Sequence, residues 1–429
     1  MSRNSFSDRK AILMGSYDNS GVDLERMVFD YLYREQMAGK QYVTPLFARN
    51  GTDARDFMKP NFPLQGVPIF FYSALQLFKA GFETAAVGND DTGRLHDKFC
   101  KFFKITNQKF VHEGRPDEWS FANTVRKGMS VLDLSDEENT LLVTADSPFV
   151  DIDRAANDPD AKKYDAVLAL NTKEISGGIF PRGFYVALSY KGEVYFIKEP
   201  NIFDLNLKKL EKNRFELDLF NIIFKGRKRH TKNDSQAEML RTLVSDLNGE
   251  GEYVFSKYRA LKAALLFGPV NIYKLKQWSE RRKAGIVEKE EDMPVFKMKT
   301  AQRVAESLLD VPGFKIKIKP CPDPAALIDI DTYLCLYIAE NLLSIAPQIY
   351  PYYDELQEFK KSVGGKWGCE ITDNWISIAN ERAKRYKLDA HYDQLGVLHQ
   401  NIFPQWKVKR EAELILEYQS KARMENRKK

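Results

Sequence analysis

The sequence predicts an α/β fold: a mostly parallel central sheet flanked by helices, with a helical insertion and a helical C-terminal appendage. Three observations predict it. Short, wholly apolar runs mark strands buried on both faces, helix-period segments separate them, and each run stops at a glycine or a polar residue. Strand and helix alternating in this way means βαβ units, whose ligands sit beyond the carboxyl ends of the strands.

The first strand is "AILMG" (11–15), followed by a helical pattern in "VDLERMVFDYLYREQM" (22–37). "KPNFPLQGVPIFFYSALQLFKAGF" (59–82) places a lysine, three prolines and a glycine before an amphipathic helix. That helix is expected over 68–80, with Pro68 in its first turn and Gly81 just past its end. "ETAAVG" (83–88), "TLLVTAD" (140–146) and "YDAVLAL" (164–170) read as further buried strands, with a helix carrying Phe121, Val125, Met129 and Leu132 between them. "GGIFPRGFYVALSYKGEVYFIKEPNIFDLN" (177–206) reads as paired strands around Lys191-Gly192. Residues 206–312 turn helix-rich and charged, and strand texture returns in "FKIKIKP" (314–320). The expected organisation is an α/β core over 1–205, a helical insertion over 206–312, a strand and helix completing the core over 313–345, and a helical region over 346–429.

With 429 residues, 43% of them hydrophobic and 29% charged, the chain can bury two ordinary cores or one large core with an insertion. Four cysteines without a CxxC pair, and a polar start, fit a reducing cytoplasm. The sequence holds no run of about 18 apolar residues, so no membrane partner is expected. A net charge of +5, from 65 basic and 60 acidic residues, is mild for this length; it suits anionic substrates and does not by itself argue for nucleic acid, which is not expected as a partner. The five histidines show no HxxxH or HExxH spacing, and no G-x-x-x-x-G-K-[ST] loop occurs, which sets aside zinc-hydrolase and P-loop readings.

Pro60, Pro63 and Gly66 restrain the backbone that presents Lys59, and a lysine held in this way is a compact charge suited to phosphate oxygens. In this setting four segments, in order, resemble the nucleotidyltransferases of the nucleotide-diphospho-sugar transferase (GT-A-like, Rossmann-like) superfamily, of the molybdopterin-guanylyltransferase or sugar-phosphate nucleotidyltransferase kind. They are the K-P-x-x-P-x-x-G-x-P stretch at 59–68, "SFANTVRKGM" (120–129), "TLLVTADSPFVD" (140–151) and "ALIDIDTYLCLYIAENLL" (326–343). The resemblance covers roughly 1–205 and 313–345. It departs at "ILMGSYDNSG" (12–21), which has one glycine where the family has two, and in the 44 positions separating Gly15 from Lys59.

The resemblance implies roles. Lys59 would lie by the triphosphate, with Arg55 replacing the family's missing arginine. Gly15 and Ser16 would line the phosphates, and Asn123 would meet the base. Asp146 and Asp331 would hold Mg2+ (or Mn2+), and Arg182, Lys198 and Asn201 would hold the acceptor's phosphate. The implied partners are a nucleoside triphosphate and a phosphorylated small-molecule acceptor, the acceptor being a sugar phosphate, a pterin phosphate, a phospho-alcohol or a phospho-acid. Chemistry asks for the same parts. In-line attack on an α-phosphorus gathers charge on the incoming and leaving groups, so cations and positioning supply the catalysis. Asp146 ends a strand and Asp331 opens a helix after another, so both are expected at one carboxyl edge.

Each residue also has an architectural reading. Asp146-Ser147-Pro148 suits a strand-ending turn, Asp329 or Asp331 a helix cap, and Gly15-Ser16 a plain turn. At the level of function, the alternatives are a GT-A-like relative that has lost catalysis and acts as a binding or scaffold module, and a nucleotide-sugar-dependent glycosyltransferase. The K-P loop argues against the second.

Overall fold

The structure is a computed structural model that describes residues 9–15, 59–114, 120–156, 158–172, 186–198, 201–211, 262, 265–283, 294–309, 311–321, 323–328, 330, 333–385, 389–400 and 404–427. The expected helix over 22–37 lies outside these residues.

The first half alternates as its sequence requires. Strand β1 (Lys10–Met14) precedes a two-stranded hairpin, β2 (Pro63–Leu64) and β3 (Val67–Pro68), and helix α1 (Phe70–Lys79). Then follow β4 (Glu83–Gly88), α2 (Asp90–Phe103), β5 (Gln108–His112), α3 (Phe121–Met129), β6 (Thr140–Thr144), the short α4 (Ile152–Ala156) and β7 (Ala166–Thr172). A hairpin of β8 (Val186–Tyr190) and β9 (Glu193–Lys198) turns at Lys191 and Gly192, as expected, and leads into β10 (Ile202–Leu205) and α5 (Leu207–Glu211). After α6 (Pro269–Lys283) come β11 (Val295–Lys297), α7 (Met298–Leu309) and β12 (Ile316–Cys321). The chain continues through α8 (Tyr333–Ile345), α9 (Tyr353–Ser362), α10 (Glu370–Asp373) and α11 (Trp375–Arg385). It closes with a hairpin of β13 (Ala390–Tyr392) and β14 (Leu398–Gln400) and the long α12 (Gln405–Arg427).

Ten strands form one twisted sheet in the order β11-β8-β9-β7-β10-β6-β1-β4-β5, with β12 beside β7. β5, β4, β1 and β6 run parallel, as do β7 and β12. β10 runs antiparallel between β6 and β7, so these six strands point the same way, and β8 with its parallel partner β11 joins them across antiparallel β9. Asn171 pairs with Cys321 on one side and Lys198 on the other, so β9 and β10 share the edge of β7 that β12 leaves open. This is the expected α/β architecture, a mixed sheet that is mostly parallel in its core and flanked by helices.

Period-two alternation assigns each strand residue to one of two cores. Ala11 and Leu13 pack with α1, α2 and α8 on one face, while Ile12 and Met14 pack with α3 and α7 on the other. The insertion is not wholly helical. β11 pairs with β8 in the main sheet, and Phe296, Met298 and Leu309 sit in the second core. The C-terminal helices continue the first core: Leu356, Phe359, Trp367, Trp375, Val408 and Ile415 are buried with α1 and α2.

The helix expected over 68–80 begins two residues later. Pro68 pairs with Pro63 across the hairpin, and Ile69 takes the N-cap. Its other end behaves as read. Gly81 donates to the Phe78 carbonyl and Phe82 to that of Leu77, the paired bonds that end a helix in a left-handed residue.

Candidate functional site

Six parallel strands deliver their last residues to one edge, and helices that run back against them start there. α2 starts there, capped by Asn89, whose Oδ1 accepts from the Thr92 N–H at 2.9 Å. α3 starts with Ser120, whose Oγ accepts from the Asn123 N–H at 3.2 Å. Helix N-termini present amides and the positive end of the dipole to anions. α2 has Asp90 and Asp91 in its first turn, whereas the first turn of α3 holds no acidic residue, so α3 is the start better suited to an anion.

At the end of β1, the Gly15 N–H donates to the Val87 carbonyl at 2.8 Å. A Cβ on Gly15 would lie 3.0 Å from that oxygen and 3.4 Å from both Phe70 and Thr92. At the end of β4 the fit is tighter, since a Cβ on Gly88 would lie 2.7 Å from Thr92. The two glycines let Thr92 sit between the strand ends, fully buried. Its hydroxyl lies 2.9 Å from Asn61 Oδ1 and 3.1 Å from Asn89 Oδ1, one proton shared between two acceptors. Asn61 belongs to the single 3-10 turn Lys59–Asn61, so the lysine-bearing turn is fastened directly to the junction of β4 and α2. Asn61 is 1% exposed, and its Nδ2 has no hydrogen-bond partner among the described residues.

Beyond β6 the chain turns through Asp146, which is half-buried. α1 holds this turn. Ser73 Oγ donates to the Ser147 carbonyl at 3.4 Å and Gln76 Nε2 to the Pro148 carbonyl at 3.0 Å. The Thr144 and Ser147 hydroxyls meet at 3.0 Å, so the strand-ending turn read from Asp146-Ser147-Pro148 is present. The Ile330 N–H donates to the Asp146 carbonyl at 2.9 Å, which brings the segment before α8 onto this turn from far along the chain.

Of the residues singled out by sequence, the structure brings Gly15, the backbone of the Lys59 turn, Asp146 and the start of α3 with Asn123 to this edge. Lys198 ends β9 opposite Asn171. Ser16, Arg55, Arg182, Asp329 and Asp331 lie outside the described residues, as do the side chains of Lys59 and Lys198. Asn201 proves to be framework. Its Nδ2 and that of Asn171 both donate at 2.9 Å to the Ala326 carbonyl, and Asn201 is 7% exposed, so one of its amide hydrogens holds the turn after β12. Asn61, Asn89 and Thr92 are the residues that sequence reading missed. An Asn-Asp-Asp-Thr run directly after a strand is a helix-cap signal and could have shown Asn89 and Thr92.

Next to this edge, on the face that carries α4, a cavity of about 210 Å³ is lined by Asp151, Arg154, Asp204, Lys319 and Asp323 among others. Burial, with the Asp151 charge adding to it, pushes the Asp323 carboxyl up to about 7. Asp204 rises to about 6, again through burial, although Arg9 Nη2 donates to it at 3.2 Å. Among the described residues no cluster of three or more His, Cys, Asp or Glu side chains is arranged to hold a metal. Among them too, no helix is long and apolar enough to cross a membrane.

No family model matches the chain, and no curated protein matches it. Solved structures do resemble it. One is a hypothetical transferase from Thermus thermophilus, at 15% identity over 76% of this chain and 99% of that one, with a TM-score of 0.40. Another is the inositol-1-phosphate CTP transferase from T. maritima, at 14% identity over 49% and 76%, with a TM-score of 0.32. A third is the 4-diphosphocytidyl-2C-methyl-D-erythritol synthase from Anaerococcus prevotii DSM 20548, at 10% identity over 78% and 97%, with a TM-score of 0.33. Likeness of this size is loose, and the functional reading stands on the chain's own residues.

Proposed function

We propose that the protein is a cytoplasmic nucleotidyltransferase that joins a nucleoside monophosphate, taken from a nucleoside triphosphate, to a phosphorylated small-molecule acceptor. An acceptor phosphate oxygen attacks the α-phosphorus and forms the new P–O bond. The bond from that phosphorus to the bridging oxygen breaks, and pyrophosphate leaves with its electron pair.

One observation carries this reading. The Ile330 amide is bonded to the carbonyl of Asp146 at the carboxyl edge of the sheet, and Asp331 follows Ile330 in sequence, which supports a site shared by Asp146 and Asp331. Asp146 and Asp331 are hard oxygen donors. A pair of carboxylates with no third protein ligand suits Mg2+ or Mn2+, which keeps waters and phosphate oxygens in its remaining positions. When bound, such an ion neutralises phosphate charge as it develops.

The chain's own residues supply the rest. Lys59 and Arg55 neutralise the triphosphate, the first from a turn fixed by Asn61 and Thr92. Gly15 and Ser16 line the phosphates after β1; the Gly15 N–H is held by the Val87 carbonyl, so the cradling amides are those that follow it. Asn123, in the first turn of α3, offers a donor and an acceptor to a base edge. Arg182 and Lys198 receive the acceptor's phosphate.

Pyrophosphate release is the test. The purified protein is incubated with each of the four triphosphates, magnesium and a panel of sugar phosphates, phospho-alcohols and phospho-acids. Acceptor-dependent release with one triphosphate supports the proposal. Salt-sensitive binding to nucleic acid, with no release on any combination, would replace it with a binding module.

A further inference from the structure

The hairpin that follows the Lys59 turn is as small as a hairpin can be. It pairs only Pro63 with Pro68 and Leu64 with Val67, and its two turn residues, Gln65 and Gly66, take φ of 53° and 70°. Positive φ at both positions defines the tight turn that matches strand twist, but Gln65 pays a steric cost there that glycine avoids. An isolated two-stranded hairpin is not stable in water, so something else holds this one.

What holds it lies nearly three hundred residues on. The Gln65 N–H donates to Glu340 Oε1 at 2.8 Å, and Gln65 Nε2 donates to the Glu340 carbonyl at 3.0 Å and also to Glu340 Oε2. Lys360 Nζ donates to the Gln65 carbonyl at 2.9 Å, and Trp367 Nε1 to the Gly66 carbonyl at 3.2 Å. Tyr72 Oη closes the base by donating to the Leu64 carbonyl at 2.9 Å. Glu340 is 2% exposed. Burying a carboxyl group is costly, and its use is best looked for in the geometry it specifies.

We infer that Glu340 is a positioning residue for the phosphate-binding lysine turn: by gripping Gln65 it fixes one end of the segment whose other end is fixed by Asn61 on Thr92. Residues 61–65, which lead directly out of the Lys59–Asn61 turn, are then held at both ends, by α2 at Asn61 and by α8 at Gln65. The carboxyl group suits this because each of its two oxygens can accept from a donor of Gln65, the hydroxyl oxygen included when the group holds its proton. Glutamine at position 340 would set an amide NH2 against the Gln65 NH2. This inference rests on the nucleotidyltransferase reading for what the turn binds, but not for what holds the turn.

The test uses the full chain in wild-type form, as Glu340→Gln, and as the exchanged pair Gln65→Glu with Glu340→Gln, which restores donor against acceptor between the two side chains but loses the bond to the residue-340 carbonyl. Trp367→Phe serves as a milder variant that keeps the ring and removes one donor. Hydrogen exchange over residues 59–68 is measured together with dissociation constants for the magnesium complex of whichever of the four triphosphates binds the wild type, and for its monophosphate. Glu340→Gln is expected to speed exchange of the Gln65 amide and to weaken the triphosphate at least tenfold while changing the monophosphate less than twofold. Trp367→Phe should do the same in smaller measure, and the exchanged pair should restore both in part. Equal losses for the two nucleotides, or full triphosphate affinity with a loosened hairpin, would overturn it. If the wild type binds no triphosphate, the functional reading fails and takes the phosphate role with it. The exchange arm still decides the grip, since unchanged Gln65 exchange in Glu340→Gln would overturn that too.

Discussion

Thr92 serves two asparagines with one hydroxyl, and it can do so because no Cβ stands at Gly88. Gly88→Ala would place a methyl 2.7 Å from the Thr92 side chain, in a site with no free volume to take it. Overpacking of this kind costs about 1–3 kcal/mol. Urea unfolding should show a lowered midpoint with an unchanged slope; an unchanged midpoint would mean that the strand end yields freely. Residues of this sort were only partly legible in the sequence. Asp146 stood out because it ends an apolar run. Asn201 looked like a surface phosphate contact because its partner, the Ala326 carbonyl, lies 125 positions away and depends on β10 running antiparallel between β6 and β7. The role of Asn61 was equally hidden, since it depends on the approach of α2 and not on local pattern.

At the scale of elements, strands were read more reliably than the loop before α1. The wholly apolar runs at β1, β4, β6 and β7 declared themselves, while β5, with the mixed sequence QKFVH at an edge, did not. Pro68 reads as a first helical residue by propensity, yet it serves β3, because the hairpin is imposed by α8 and α9 and not by its own two-residue strands. That imposed grip has a pH signature. Burial pushes the Glu340 carboxyl up to about 8, against the opposing pull of Gln65 and Lys360. The folded state therefore keeps a proton that the unfolded chain has released, and the stabilisation this gives, complete below the ordinary carboxylate range, is lost as pH rises through about 8. Asp323 acts in the same direction up to about 7. His96, lowered to about 4 by burial, acts in the opposite sense, but only below about 6.5. Tyr72 and Tyr353, which also face Glu340, are raised and stay neutral here. Between pH 6.5 and 8 the unfolding free energy should fall, and Glu340→Gln should make that slope shallower. A wild-type slope of zero or rising would contradict the assignment.

At the scale of the molecule, the C-terminal region, residues 346–429, is part of the fold and not an ornament on it. Phe71 stacks on Phe99 at 5.3 Å between centroids, and Phe359 and Trp367 close on the same ring at 5.2 and 5.3 Å. Removing one large buried aromatic costs about 3–5 kcal/mol, and whole domains are stable by only about 5–15 kcal/mol. A chain ending at residue 345 should therefore fail to fold cooperatively, as circular dichroism during thermal unfolding would show. A sharp transition near that of the full chain would refute the shared core. The sequence showed apolar faces on these helices but not what they cover, because periodicity gives a stripe and not its partner. The central claim, that Asp146 and the segment after Ile330 form one metal-assisted nucleotide site, is tested most directly by thermal shift. The four triphosphates are screened with and without magnesium against wild type and Asp146→Ala. A ligand at a hundred times its dissociation constant stabilises by about 2.7 kcal/mol. The expected result is a magnesium-dependent shift with at least one triphosphate that disappears in Asp146→Ala. A shift of the same size in the variant, or none in the wild type, would contradict it.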